Sequence, residues 1–415
     1  MSDTPFYPRL LRPRIEEALR DSPVVLLHGA RQCGKTTLAR IIGEAAGFTC
    51  YTFDDDVQRA AAQTDPVGYI ADLPDRVVLD EVQRVPELFT SLKLTVDRER
   101  RPGRFILTGS ANVLLVPKLA DSLAGRIEIL QLHPLSQAEL ERSQPDFLHK
   151  LFSDGFKSGP AGDRLGKALA ERVIAGGFPA ALARPNARRR STWYRDYAET
   201  MIQRDIRDLA KISALDALPR LLTLAAGHTA CLVNISELAS PFQVSRQTIR
   251  DYLTLLSRIF LVDELPPWFS NRLKRLVKTP KLHFGDTGLA AALLGLNADS
   301  LWTDRLLLGR LLETFVFQEL RRQASWHEAA VTFHHYRDKD QVEVDIVLES
   351  ETRLSGIEVK ASSTVTSDDF RGLRRLATTV GEKFATGVVL YDGDAIVRFG
   401  ERLFAVPVSQ LWTGT

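Results

Sequence analysis

The 415-residue chain has only three cysteines (Cys33, Cys50 and Cys231), two methionines and a formal net charge of +2. An odd, sparse cysteine set gives no disulfide framework and no C-x-x-C metal pair, which suits a reducing, cytoplasmic setting. No apolar run reaches the ~18 residues of a membrane-spanning helix. The N-terminus is polar and carries Pro5 and Pro8, so neither a membrane partner nor a secretory leader is expected. The near-neutral balance excludes a globally basic surface, and any nucleic-acid footprint must be local. No repeat of about 20–50 residues is visible, which argues against a solenoid or propeller. The apolar fraction of 44% is enough for several cores, and the length suits more than one domain.

Gly29-Ala30-Arg31-Gln32-Cys33-Gly34-Lys35-Thr36 reads G-x-x-x-x-G-K-T. An apolar strand, Val24–Leu27, precedes it, and a helical start, Thr37–Ile42, follows. That context makes it a P-loop, whose backbone N–H groups wrap the phosphates of a nucleotide such as ATP. Lys35 would reach the terminal phosphates, and the Thr36 hydroxyl would ligate Mg²⁺. Cys33 is expected to fill the loop rather than to act in redox chemistry.

Strand and helix signals alternate to about residue 142, with strands at Val24–Leu27, Thr49–Phe53, Val77–Leu79, Phe105–Leu107 and Ile127–Leu130. Such alternation predicts a parallel α/β sheet. Residues 143–166 lose periodicity and are expected to form a linker. Residues 167–300 are mainly helical. Ser236–Ala239 and Ser245–Ile259 form a helix–turn–helix pattern, and Phe260–Leu265 and Lys281–Phe284 are strands around a basic loop, which together predict a winged helix. Residues 301–415 return to mixed α/β.

Val77-Val78-Leu79-Asp80-Glu81 is an apolar strand ending in two carboxylates, a Walker B pattern about 45 residues beyond the P-loop. Asp80 would hold Mg²⁺, and Glu81 would orient the attacking water. Phe105–Leu107 leads to Thr108-Gly109-Ser110, which puts Ser110 or Asn112 in reach of a γ-phosphate, unless the segment is only a turn on Gly109. Arg126 is either an arginine finger offered to a neighbouring subunit or an ordinary surface arginine.

Near the other end, Asp345 precedes Glu358 by 13 positions, a gap that suits a hairpin and would set the two carboxylates side by side. Lys360 lies on the same strand face as Glu358, and Glu313 lies on an upstream helix. Glu…Asp-x₁₂-Glu-x-Lys is the PD-(D/E)xK nuclease pattern, with Mg²⁺ or Mn²⁺ held by Glu313, Asp345 and Glu358 and with Lys360 acting on the activated water. The helix Asp368–Ala377 and the strand Gly387–Leu390 complete the element order of that fold; half-exposed charged hairpins are the plain alternative. Arg272, Lys274, Arg275, Lys278 and Lys281 crowd the wing, and Arg246 and Arg250 open the recognition helix. These are candidate DNA contacts, although such units also serve as packing modules, and Asp263 and Glu264 would repel phosphate.

The whole chain resembles a broad bacterial and archaeal family of AAA+-type P-loop ATPases with a C-terminal region long labelled a domain of unknown function. The segments that carry the resemblance are Leu27–Thr36, Leu79–Gln83, Leu107–Ser110, Leu123–Arg126, Tyr194–Tyr197, Arg204–Ile206, Lys281–Leu289, Gly309–Glu313 and Glu343–Asp345. The resemblance implies an AAA+ core, a winged-helix middle and a restriction-endonuclease-like end. It implies ATP binding through Gly34, Lys35, Thr36 and Asp80, water activation by Glu81, and an arginine role for Arg126; Thr37, next after the motif, is a further candidate for the nucleotide site. The expected function is an ATP-hydrolysing homo-oligomer, a hexameric ring among the options. It would cleave branched or Holliday-junction DNA in repair or recombination. Two alternatives stay open: an ATP-controlled DNA-binding switch or remodeller with a non-cleaving nuclease-like end, and a signalling ATPase with a protein partner.

Overall fold

Val24-Val25-Leu26-Leu27-His28 is a run of buried, mostly branched side chains, which only a strand covered on both faces can accommodate. It forms β1 (Val24–His28), with β2 (Thr49–Thr52), β3 (Val77–Asp80), β4 (Phe105–Gly109) and β5 (Ile127–Gln131) in one sheet of order β2-β3-β4-β1-β5. All its pairings are parallel. His28, Asp80 and Gly109 therefore end at the same edge, the carboxyl edge where parallel sheets place ligands. Apolar clusters line both faces, one around Phe53, Phe89 and Phe105, the other around Ile15, Leu38 and Ile106.

The computed structural model describes residues 7–110, 123, 125–153, 155–206, 217–242, 244–269 and 279–414. Two compact units divide them. The first is Pro8–Leu135 with Arg258–Phe260; the second is Ser136–Ser257 with Leu261–Thr415. Among the described residues no helix is long and apolar enough to cross a membrane.

The stretch 143–166, expected as a linker, holds a helix, Phe147–Phe152, and a two-residue strand, β6 (Gly159–Pro160). Phe147, Leu148 and Leu151 are buried, so apolar anchoring outweighs the Gly and Pro content that suggested a loop.

The second unit contains two sheets. A three-stranded antiparallel sheet has β9 (Lys281–Phe284) between β7 (Cys231–Leu232) and β8 (Val262–Leu265). A seven-stranded sheet runs β10-β11-β12-β13-β15-β14-β6. Its further strands are β10 (Val331–Arg337), β11 (Glu343–Ser350), β12 (Arg353–Lys360), β13 (Phe384–Tyr391), β14 (Ala395–Gly400) and β15 (Leu403–Pro407). Helix Arg246–Arg258 follows a Ser245 cap, whose Oγ accepts from the Thr248 N–H at 3.0 Å. Its Ile249, Tyr252, Leu253 and Leu256 are buried at helical spacing, leaving Arg246 and Arg250 exposed. Helix Arg371–Val380 packs on β11, β12 and β13. Gly372 permits this, because a Cβ there would lie 1.9 Å from the Glu343 carbonyl oxygen.

Candidate functional site

The loop Gly29–Gly34 joins β1 to helix Lys35–Ala45, and Lys35, Thr36 and Thr37 are its first three residues. Two glycines make the turn. Gly34 is left-handed at φ 104°, and Gly29 has φ 147° with the Leu132 carbonyl oxygen 2.1 Å from where a Cβ would stand. The Lys35 ammonium is buried and donates to the Gly29 and Ala30 carbonyls at 3.0 and 2.8 Å, which holds the loop on its own lysine. Cys33 is fully buried and its thiol faces the Leu132 carbonyl at 3.3 Å. Only its backbone is left to face a phosphate, as suits a residue whose side chain fills the loop.

Asp80 gathers three hydroxyls. Thr36 Oγ1 donates to Oδ1 at 2.8 Å, Thr52 Oγ1 to Oδ2 at 3.3 Å, and the Thr108 hydroxyl also donates to Oδ1. Glu81 is left-handed at φ 59°, and its N–H donates to Thr108 Oγ1 at 3.3 Å. Such a backbone in a non-glycine residue is strained and is held here by its surroundings. The Gln83 amide donates both to Glu81 Oε2 and to Ser110 Oγ, the latter at 3.1 Å. Gln83 was passed over in the sequence because an amide has no catalytic signature; its place in the segment Leu79–Gln83 was the only hint. A hydroxyl and a carboxylate in contact at the mouth of the loop suit the oxygen preference of Mg²⁺.

Arg126 is placed differently. It precedes β5, and Ile127 pairs with Val24 at the start of β1, so Arg126 stands at the edge opposite the P-loop. It forms a two-point pair with Asp97, 2.5 Å from Nε to Oδ1 and 3.0 Å from Nη2 to Oδ2, and the guanidinium holds the Asp97 carboxyl below its usual range. A five-residue strand spans roughly 16 Å, so Arg126 cannot serve the nucleotide of its own chain. Asn112 and the basic residues Arg272, Lys274, Arg275 and Lys278 lie outside the described residues. Asp263, expected to repel phosphate, is neutralised by Arg321 at 2.5 Å and also accepts from the Gln318 amide at 2.9 Å.

The C-terminal acidic residues do come together. β11 and β12 pair with Ile346 opposite Ile357, and the register carried one step on puts Asp345 opposite Glu358. The Val359 N–H donates to Asp345 Oδ2 at 3.0 Å, and Lys360 Nζ stands 3.8 Å from Glu358 Oε2. Helix Arg305–Trp326 brings Glu313. Between Glu313 and Asp345 lies a residue that sequence reasoning had given to the basic wing. Lys281 on β9 donates to Glu313 Oε1 at 2.8 Å and to Asp345 Oδ1 at 3.0 Å. Burial disfavours its charge, yet Glu313 and Asp345 outweigh that and raise the Lys281 pKa.

The carboxyls respond unequally. Burial would raise Asp345, but the Lys281 ammonium and the Val359 N–H outweigh it and hold the group low. Burial and the Asp345 charge push Glu313 to about 8, against the pull of Lys281, and they push Glu358 well above its usual range. The Lys281 ammonium thus favours the ionised form of Asp345, while Glu313 and Glu358 are held toward their protonated forms, Glu358 against the pull of Lys360.

This arrangement does not fit a metal. Among the described residues, no group of three or more His, Cys, Asp and Glu is arranged to hold one. A divalent ion at about 2.1 Å from Glu313 Oε1 would sit no farther than about 5 Å from Lys281 Nζ. At that distance the two cations repel, and Lys281 already occupies Glu313 Oε1 and Asp345 Oδ1, two of the oxygens the ion would need. Glu313, Asp345 and Glu358 are therefore neighbours, as expected, but not metal ligands as they stand.

Comparison with known sequences matches residues 21–141 to a family described as an AAA domain, 166–300 to a domain of unknown function (DUF8612), and 308–411 to another (DUF4143). The chain is 31% identical over 401 residues to Uncharacterized protein Rv2008c of Mycobacterium tuberculosis and, at the same identity, to Uncharacterized protein Mb2031c of Mycobacterium bovis. The match spans 96% of this chain and 83% of theirs. Among solved structures, the Walker-type ATPase PABY2304 of Pyrococcus abyssi aligns at 16% identity, with 68% of this chain, 94% of that one and a TM-score of 0.42. The RuvB Holliday junction branch migration motor of Thermotoga maritima aligns at 19%, with 62% and 89% covered and a TM-score of 0.28. At these scores the likenesses carry no argument about function.

Proposed function

The chain belongs to one family with the mycobacterial proteins Rv2008c and Mb2031c, and from that premise we propose that it is an ATP-hydrolysing protein that acts on DNA as an ATP-controlled switch. The observation that carries the first half is the meeting of Lys35, Thr36, Asp80, Glu81 and Ser110 at one sheet edge, through the 2.8 Å bond from Thr36 to Asp80 and the Gln83 bridge. The loop and Lys35 take the phosphates. Thr36 and Asp80 hold Mg²⁺, which neutralises phosphate charge when bound. Glu81 aligns water and Ser110 faces the γ-phosphate. Phosphoryl transfer needs mainly positioning and charge neutralisation, which this set supplies. Arg126 acts only across a subunit boundary, so the finger reading calls for a homo-oligomer.

The DNA half is supported by the exposed Arg246 and Arg250 on a Ser-capped helix, by the pairing of Asp263 with Arg321, and by the basic run 272–278 in the sequence. We read the order helix–helix–strand–strand around them as a winged helix. We assign the second unit a nuclease-like fold that grips DNA without cutting it, because Lys281 stands where a metal would be needed. Metal-dependent cutting is the second reading, favoured by Asp345, Glu358 and Lys360 standing together.

The test is one titration series on four-way junction, single-stranded and duplex DNA, with and without ATP, in Mg²⁺ or Mn²⁺. The expected result is binding that weakens with salt, changes with ATP, falls when Arg246 and Arg250 become Ala, and produces no cleavage. Absence of DNA binding sinks the DNA half, and cleavage lost on Asp345→Ala restores the second reading.

A further inference from the structure

Lys281 is the last basic residue of the run expected to form a wing, yet it turns inward and is only 4% exposed. Its backbone is fixed on both sides. β9 is the middle strand of its sheet, and Lys281 pairs with Leu232 on one flank and Leu265 on the other. The side chain therefore cannot turn to the other face of that sheet without opening it. Its ammonium spends two of three donors on Glu313 Oε1 at 2.8 Å and Asp345 Oδ1 at 3.0 Å. Those two oxygens come from a helix and from the seven-stranded sheet, so one side chain ties three elements together. His283, two residues on and on the same strand face, is fully buried, bonds Thr314 Oγ1 at 3.1 Å, and places Nε2 4.0 Å from Glu313 Oε1. Burial and the Lys281 charge keep this ring toward its neutral form, so Lys281 is the cation of the strand.

A carboxylate kept ionised in a buried place, as Asp345 is favoured to be, needs a cation beside it. We propose that Lys281 is the resident cation of this cluster, a tethered ammonium in the seat a divalent ion would take, so that the unit is metal-free as built and becomes a metal site only when the ammonium is removed. The proposal rests on the nuclease-like reading of the second unit only for the identity of that seat. Its test measures metal rather than DNA, so cleavage results and metal results fail separately.

The full chain, free of nucleotide, is titrated with Mn²⁺ alone, and free Mn²⁺ is followed by electron paramagnetic resonance. Wild type, Asp345→Asn, Lys281→Met and the double variant Lys281→Met/Asp345→Asn are compared, with circular dichroism establishing the fold of each. Lys281→Met keeps the side-chain length and removes the charge. It should take up about one more Mn²⁺ per chain than wild type, bound at least about tenfold tighter than anything wild type binds at this cluster. The added Asp345→Asn change should abolish it. Bound metal should also raise the melting temperature of Lys281→Met and not that of wild type. A wild-type Mn²⁺ site that Asp345→Asn removes overturns the proposal, and so does a folded Lys281→Met that binds no more than wild type. Where Lys281→Met does not fold, the wild-type and Asp345→Asn pair still decides whether the seat is taken.

Discussion

Gln83 holds Glu81. Its amide donates to Glu81 Oε2 and, from the same nitrogen, to Ser110 Oγ at 3.1 Å. The Glu81 carboxylate is therefore oriented by a neighbour two residues on, and Ser110, just past the end of β4, is tied to it.

This bridge separates positioning from chemistry. Glu81→Gln keeps the shape and loses the carboxylate, and it should lower kcat for ATP by ~10²–10⁴-fold with nucleotide binding retained. Gln83→Ala leaves the carboxylate and frees it, and should cost roughly tenfold in kcat with little change in KM. Lys35→Ala should abolish binding itself. Steady-state hydrolysis and fluorescent-nucleotide titration check all three. A Gln83→Ala enzyme with unchanged kcat removes the positioning role.

Much of this site was legible in the sequence, and for a physical reason. A P-loop is local: Gly29, Gly34, Lys35 and Thr36 fall within one turn and one helix start, and the apolar runs that become β1, β3 and β4 need no tertiary knowledge to be seen. The Asp345–Glu358 pairing was also readable, because a hairpin fixes register from spacing alone. Lys281 was not. Its partners lie 32 and 64 positions away, and in the sequence it sits among basic residues that suggest solvent or phosphate. Only the central position of β9 turns it inward. The segment 143–166 misled in the opposite direction, since Gly and Pro mask the buried triplet Phe147, Leu148 and Leu151.

Gly372 supports the cluster from the helix that covers it. A Cβ there would meet the Glu343 carbonyl oxygen at 1.9 Å and Glu358 Oε1 at 2.9 Å. The first contact is backbone and cannot yield cheaply, so Gly372→Ala should push helix Arg371–Val380 off β11 and β12 and cost about 1–3 kcal/mol or more. All five tryptophans (Trp193, Trp268, Trp302, Trp326 and Trp412) lie in the second unit, so denaturant titration followed by tryptophan fluorescence reads that unit alone. Gly309→Ala, inside helix Arg305–Trp326 with ordinary helical backbone and nothing within 4 Å, is the control. Equal midpoints for the two variants refute the steric argument.

His28 gives the first unit a pH dependence whose sign can be worked out. Burial, and then the Lys35 charge, lower its pKa from 6.5 to about 4. The folded unit keeps His28 neutral while the unfolded chain takes up a proton below pH 6.5. The stability contributed by the neutral ring is therefore complete above about pH 6.5 and lost as pH falls toward 4. The difference reaches roughly 2–3 kcal/mol by about pH 4.5. Acidic groups of the second unit, such as Glu313 at about 8, shift the other way and would mask the effect in a whole-chain measurement. Hydrogen exchange read by mass spectrometry on peptides covering β1 and β4 isolates it. After correction for the intrinsic exchange rate, protection of these strands should fall between pH 6.5 and 4.5 in wild type and stay nearly level in His28→Asn. A wild-type profile as flat as that of the variant shows that burial of this ring does not govern the acid stability of the first unit.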